Sequence, residues 1–114
     1  MSESDPLAPP DSKFVTVARM GSIPDGLGIT VAVGDRLIAI FNCEGEYHAI
    51  DDLCPHMGAS LGAGEVIEGV VSCPWHAWRF SVRDGAWCDN PRIKIDRFDV
   101  RVVGDDIQVR VTPT

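Results

Sequence analysis

Two short segments carry residues able to bind a metal: Cys54-Pro55-His56 and Cys73-Pro74-Trp75-His76. Each offers one thiolate and one imidazole, and sixteen residues, 57 to 72, separate the two pairs. A proline follows each cysteine. It fixes φ and removes a backbone N–H, which stiffens the chain where a ligand must be aimed. The first pair opens a Gly-rich stretch, Met57-Gly58-Ala59-Ser60-Leu61-Gly62, and the second follows Val70-Val71-Ser72. Loops of this kind on a rigid scaffold can face each other across a small inorganic core.

The scaffold that must hold them reads as β throughout. Phe98, Val100 and Val102 alternate with Asp99 and Arg101, then Ile107, Val109 and Val111 alternate with Gln108 and Arg110, and Gly104-Asp105-Asp106 joins the two runs as a hairpin. Ile29 to Val33 and Arg36 to Asn42 form a second hairpin about Gly34-Asp35, where glycine tolerates the positive φ of a tight turn. Further short runs follow at Glu46 to Ile50, Val66-Ile67, Val70 to Ser72, Arg79 to Val82 and Ala86 to Cys88. Tight turns at Glu44-Gly45, Glu68-Gly69 and Arg83-Asp84-Gly85 punctuate them. No window carries a helical stripe, so the expectation is an antiparallel all-β fold of about nine or ten strands. Residues 1–12 read as a solvated tail, and residues 13–114 as a single domain with its metal-binding loops within about 51–80.

Composition narrows the partners. The 114 residues are 45% hydrophobic and 24% charged, which excludes a disordered or coiled-coil protein and favours one globular domain. Ten Lys and Arg against seventeen Asp and Glu leave a net charge of −7, which disfavours nucleic acid and anionic membranes and favours a basic protein partner. The longest apolar run, Leu37-Ile38-Ala39-Ile40-Phe41, is far short of the roughly 20 residues that span a bilayer. The first twelve residues lack the basic start and apolar stretch of a secretory signal, so a cytoplasmic location is expected. In that reducing compartment four cysteines point to metal before disulfides.

Cys54-x-His56 and Cys73-x-x-His76, with the hairpin between them, resemble the Rieske iron–sulfur family. The Gly62-Ala63-Gly64 approach and Phe80 ahead of an Arg-Asp-Gly turn are similar too. The resemblance implies stacked antiparallel sheets or a small barrel with two cluster-binding loops. It also implies a [2Fe–2S] cluster with Cys54 and Cys73 on one iron and His56 and His76 on the other. Two ferric ions, two sulfides and two thiolates sum to zero charge, whereas four thiolates would leave −2, so histidine ligation makes reduction easier. The N–H groups left on the two imidazoles would link the potential to pH, and a potential constant from neutral to strongly alkaline conditions would refute that link.

In the high-potential branch of the family a disulfide ties the loops and Ser and Tyr hydroxyls bond cluster sulfur. Here Ala59 and Trp75, then Trp78 and Phe80, stand at those positions and none can serve. The expected potential is therefore toward the low end of the roughly −150 to +300 mV Rieske range.

A Cys2His2 zinc site needs the same donors, but zinc loops usually pair Cys with Cys and His with His, not one of each per loop. Cys43 and Cys88 read as small buried hydrophobes, His48 as a surface or boundary residue, and Asp51-Asp52 as a solvated turn that could steer a basic partner. Met57, Trp75 and Trp78 flank the ligands and could shield the cluster or dock a partner. With three histidines in all, assigning two to the cluster leaves too few for a non-haem iron triad. Gly26-x-Gly28 lacks the strand-to-helix setting of a nucleotide motif.

The chain is therefore expected to carry electrons, with no substrate chemistry of its own. The resemblance implies a flavin-dependent reductase as donor and a terminal oxygenase as acceptor. A second implied role is the small subunit of an NAD(P)H-dependent nitrite reductase, although many such subunits lack the cluster ligands. A metal-stabilised module without redox activity is a third reading.

Overall fold

A computed structural model describes residues 14–34, 36–53, 60–73 and 78–110. Twelve strands are seen in these segments: β1 Phe14–Arg19, β2 Gly28–Val33, β3 Arg36–Cys43, β4 Glu46–Asp51, β5 Val66–Ile67, β6 Val70–Ser72, β7 Arg79–Ser81, β8 Ala86–Trp87, β9 Asn90–Lys94, β10 Arg97–Phe98, β11 Val100–Val103 and β12 Asp106–Arg110. They form three sheets, ordered β1-β12-β11, β10-β4-β3-β2 and β5-β6-β7-β8-β9. Every paired strand is antiparallel. The sheets stack and stay open, which settles the choice left by the sequence against a small barrel: each sheet ends on strands with a single neighbour.

The middle sheet explains the longest apolar run. Ala39 and Phe41 of β3 pack with Ile50, Leu61, Val66, Val71, Cys73, Phe80 and Val82 toward the five-stranded sheet. Ile38 and Ile40 turn the other way and pack with Ala49, Phe98, Ile107 and Val109 toward the three-stranded sheet. A strand buried on both faces has no polar side to show, so alternation collapses into a continuous run. Ile38 to Phe41 are all 0% exposed.

Residues 98–102, read from sequence as one alternating run, divide at Asp99 between β10 and β11. Phe98 pairs with Ala49 of β4, whereas Val100 pairs with Val109 of β12. Asp99 sits at the crossing, 3.4 Å from both Arg97 and Arg110, and its carbonyl accepts from the Arg110 N–H at 2.9 Å. Phe98 and Val100 nonetheless face the same core, which is why their period of two survives the change of sheet.

The Glu-Gly turns are tight because both residues take left-handed backbone. Glu44 and Gly45 have φ of 54° and 89°, and Glu68 and Gly69 have 52° and 79°. Asn42 Oδ1 accepts from the Gly45 N–H at 2.9 Å and Asp25 Oδ1 from the Glu44 N–H at 2.7 Å, which supports a non-glycine residue in that conformation.

Candidate metal centre

Of the four expected ligands, Cys73 lies within the described residues; Cys54, His56 and His76 lie outside them, as do Met57 and Trp75. What the structure does describe is the root of each loop. The first is closed by a β-bridge between Leu53 and Ser60, backed by the Leu61 N–H donating to the Asp52 carbonyl at 2.7 Å. The second is closed by the Cys73 N–H donating to the Trp78 carbonyl at 2.8 Å, one step beyond the Ser72–Arg79 pair of β6 and β7. Each segment of cysteine and histidine thus leaves the scaffold and returns to it through a backbone pinch.

The two roots are neighbours. After the first loop the chain makes a 3-10 turn at Leu61–Ala63, with Leu61 and Gly62 buried. A Cβ at Gly64 would lie 2.8 Å from the Ser72 carbonyl and 3.1 Å from Val71 Cγ2, so this turn rests on the strand that leads into the second loop. Leu61 and Cys73 share one core with Phe80 and Val71.

Cys73 is 2% exposed, and its thiol is free of any disulfide. A thiolate in such a place needs a positive partner to offset its desolvation, and a metal supplies one. Cys73, the one expected donor that is described, therefore fits a metal-bound thiolate. Beside it Trp78 stacks on Trp87, centroids 4.0 Å apart and planes at 12°, and meets Phe80 at 6.3 Å, so three aromatic rings cover one flank of the Cys73 root.

Asp52 departs most from the sequence reading. In place of a solvated turn, its side chain is buried, 1% exposed. Oδ1 accepts from Thr30 Oγ1 at 2.8 Å, Ser60 Oγ at 2.9 Å and the Gly62 N–H at 2.8 Å. Steering by Asp51 fares no better, because Arg36 reaches it at 3.4 Å and bonds Asp96 at 2.8 Å. Cys88 is also corrected: β8 ends at Trp87 and Cys88 is exposed in the following turn. Cys43 is half-buried against the core. His48 is a boundary residue, with its Nε2 3.4 Å from Glu46.

Gly62 shows how closely β2 approaches the first root. An alanine Cβ there would collide with Thr30 Oγ1 and lie 2.9 Å from Asp52 Oδ1 and 3.0 Å from the Ile29 carbonyl. Replacing glycine by alanine can stabilise through the unfolded state by at most about 1 kcal/mol, whereas overpacking costs about 1–3 kcal/mol, so the clash decides the sign. Gly62→Ala should melt several degrees below wild type in a thermal scan, with reduced iron content.

Residues 13–107 match the Rieske [2Fe-2S] domain. The chain belongs to this family. The ferredoxin component of the alkene monooxygenase system of Xanthobacter autotrophicus is 31% identical to this Rieske domain over 104 residues, 90% of this chain and 85% of that protein. The ferredoxin of carbazole 1,9a-dioxygenase from Nocardioides aromaticivorans superposes with a TM-score of 0.80 at 30% identity, over 89% of this chain and 100% of that one. A structure assigned to the small subunit of an NADH-dependent nitrite reductase of Mycobacterium tuberculosis gives a TM-score of 0.80 at 28% identity, over 88% and 96% of the two chains. The group this domain carries is a Rieske-type [2Fe–2S] cluster.

No helix among the described residues is long and apolar enough to cross a membrane. A groove of about 360 Å³ runs beside β6, lined by Glu65, Ile67, Glu68, Val70, Ser72 and Arg79.

Proposed function

We propose that this Rieske protein is a one-electron carrier, reduced by a flavin-dependent reductase and oxidised by a terminal oxygenase. In it Cys54 and Cys73 hold one iron and His56 and His76 the other. The observation that carries this reading is likeness to ferredoxin components of oxygenase systems along nearly the whole of both chains. The rooting of both ligand-bearing loops side by side supports the ligand set. When bound, the cluster supplies a site that accepts and returns a single electron. The Trp78–Trp87–Phe80 group keeps water from the Cys73 side, and Met57 and Trp75 serve as the apolar collar against which a partner docks. A cytoplasmic location suits the free thiols of Cys43 and Cys88.

The net charge of −7 favours a basic partner surface. Reduction by the reductase should slow about tenfold or more between about 0.01 M and about 1 M salt, over which the Debye length shrinks from about 30 to about 3 Å. Stopped-flow traces independent of salt would remove electrostatic steering from the account.

Dithionite titration tests the carrier role: uptake of one electron with a reduced-state EPR signal is expected, and a protein that dithionite cannot reduce would be a structural module. The likeness to the nitrite reductase small subunit supports a second role. Co-purification separates the two, because a free monomer fits the ferredoxin and a stable complex with a large sirohaem protein fits the subunit.

A further inference from the structure

Resting on the ligand set proposed above, we infer that Asp52 and Thr30 are positioning residues for the first cluster loop, joined at Asp52 Oδ1.

Three donors converge on Asp52 Oδ1 from three parts of the chain. Thr30 comes from β2, Ser60 from the far side of the loop pinch, and Gly62 from the 3-10 turn. Thr30 Oγ1 and Ser60 Oγ are themselves 3.0 Å apart. Two hydroxyls and one backbone N–H thus meet at a single oxygen, so the three segments form one interlocked network.

Among the described residues no Lys or Arg pairs with Asp52, while its neighbour Asp51 takes the arginine. A buried carboxylate with no counter-ion is expensive to keep, and a surface turn would not need one. Its placement explains its retention: Asp52 is two residues before Cys54, and its partners Ser60 and Gly62 lie just past the loop, so one oxygen ties both ends together. Thr30 then ties that knot to the middle sheet. Thr30 is an exposed residue of β2, far in sequence from any ligand. Through it the aim of Cys54 and His56 depends on a strand that supplies no ligand.

Redox titration and EPR of the loaded protein test this, with Asp52→Asn, Thr30→Val and Thr30→Ser beside wild type. Asp52→Asn, whose amide cannot accept all three bonds at both oxygen positions, is expected to lose iron or to broaden the EPR features and shift the potential. Thr30→Val, nearly isosteric and at an exposed position of a half-buried strand, is expected to shift the potential and broaden the EPR features, and Thr30→Ser to restore both. Should Asp52→Asn and Thr30→Val melt lower yet keep wild-type iron content, potential and EPR, the network is a fold staple only and the proposal fails. Wild-type protein that holds no iron would instead refute the ligand set, and this proposal with it.

Discussion

Cys73→Ala protein should purify colourless, without iron or acid-labile sulfide, and should accept no electron from dithionite. In the proposed ligand set its thiolate is one of only two that balance the ferric and sulfide charges, and its loss would leave the core both undercoordinated and positive. The fold should survive the change. Cys73 sits in a core with Phe80, Val71 and Leu61, and trimming a thiol to a methyl removes one atom from that packing. About 1 kcal/mol is the scale for such a loss, against the 5–15 kcal/mol that holds a typical domain. Alanine is a cleaner probe than serine, whose hydroxyl would be buried without a partner at about 1–3 kcal/mol. Strand content by circular dichroism should therefore match wild type while iron disappears. Full iron content in this variant would show that the thiolate is not a ligand.

Removal of the cluster from wild-type protein should produce the largest change in stability. In the proposed ligand set the cluster joins the two loops, so its binding energy is also folding energy. Several kcal/mol lost at about 4–8 °C per kcal/mol would lower the melting temperature by tens of degrees. The loss should be uneven. Val31, Ile38 and Ile107 pack away from the loops, in the core between the middle and three-stranded sheets, and those sheets should keep their amide protection. The Leu53–Ser60 bridge and the Cys73–Trp78 bond close loops that the cluster would no longer hold, and their amides should exchange quickly. Equal melting of cluster-free and loaded protein would mean that the loops are held by the scaffold alone.

Much of this was legible in the residues. The hairpins flanking Gly34, Glu44-Gly45 and Glu68-Gly69 announce themselves because a tight turn demands left-handed backbone and few residues supply it. The family was legible for a similar reason, since the donor types and spacing of Cys54, His56, Cys73 and His76 are chemically specific.

Harder to read were features made by tertiary contact. In β1 a register shift between Thr16 and Ala18 breaks the alternation that would have marked it as a strand. In β9 every residue from Asn90 to Lys94 is exposed, so there is no apolar face to count. The division at Asp99 was hidden because both halves line one core. Asp52 was misread because its partner Thr30 lies twenty-two residues away on another strand, and no local pattern distinguishes a carboxylate that meets such donors from one that meets water.

The central claim is that two thiolates and two imidazoles, drawn in pairs from adjacent loops, hold a diiron core. Pulsed EPR on the reduced protein, prepared with ordinary and with ¹⁵N-labelled histidine, tests it most directly. The account predicts hyperfine couplings to two inequivalent histidine nitrogens, both of which change on labelling. A reduced-state spectrum indifferent to the label, or anaerobically reconstituted protein with no iron and no acid-labile sulfur, would contradict it.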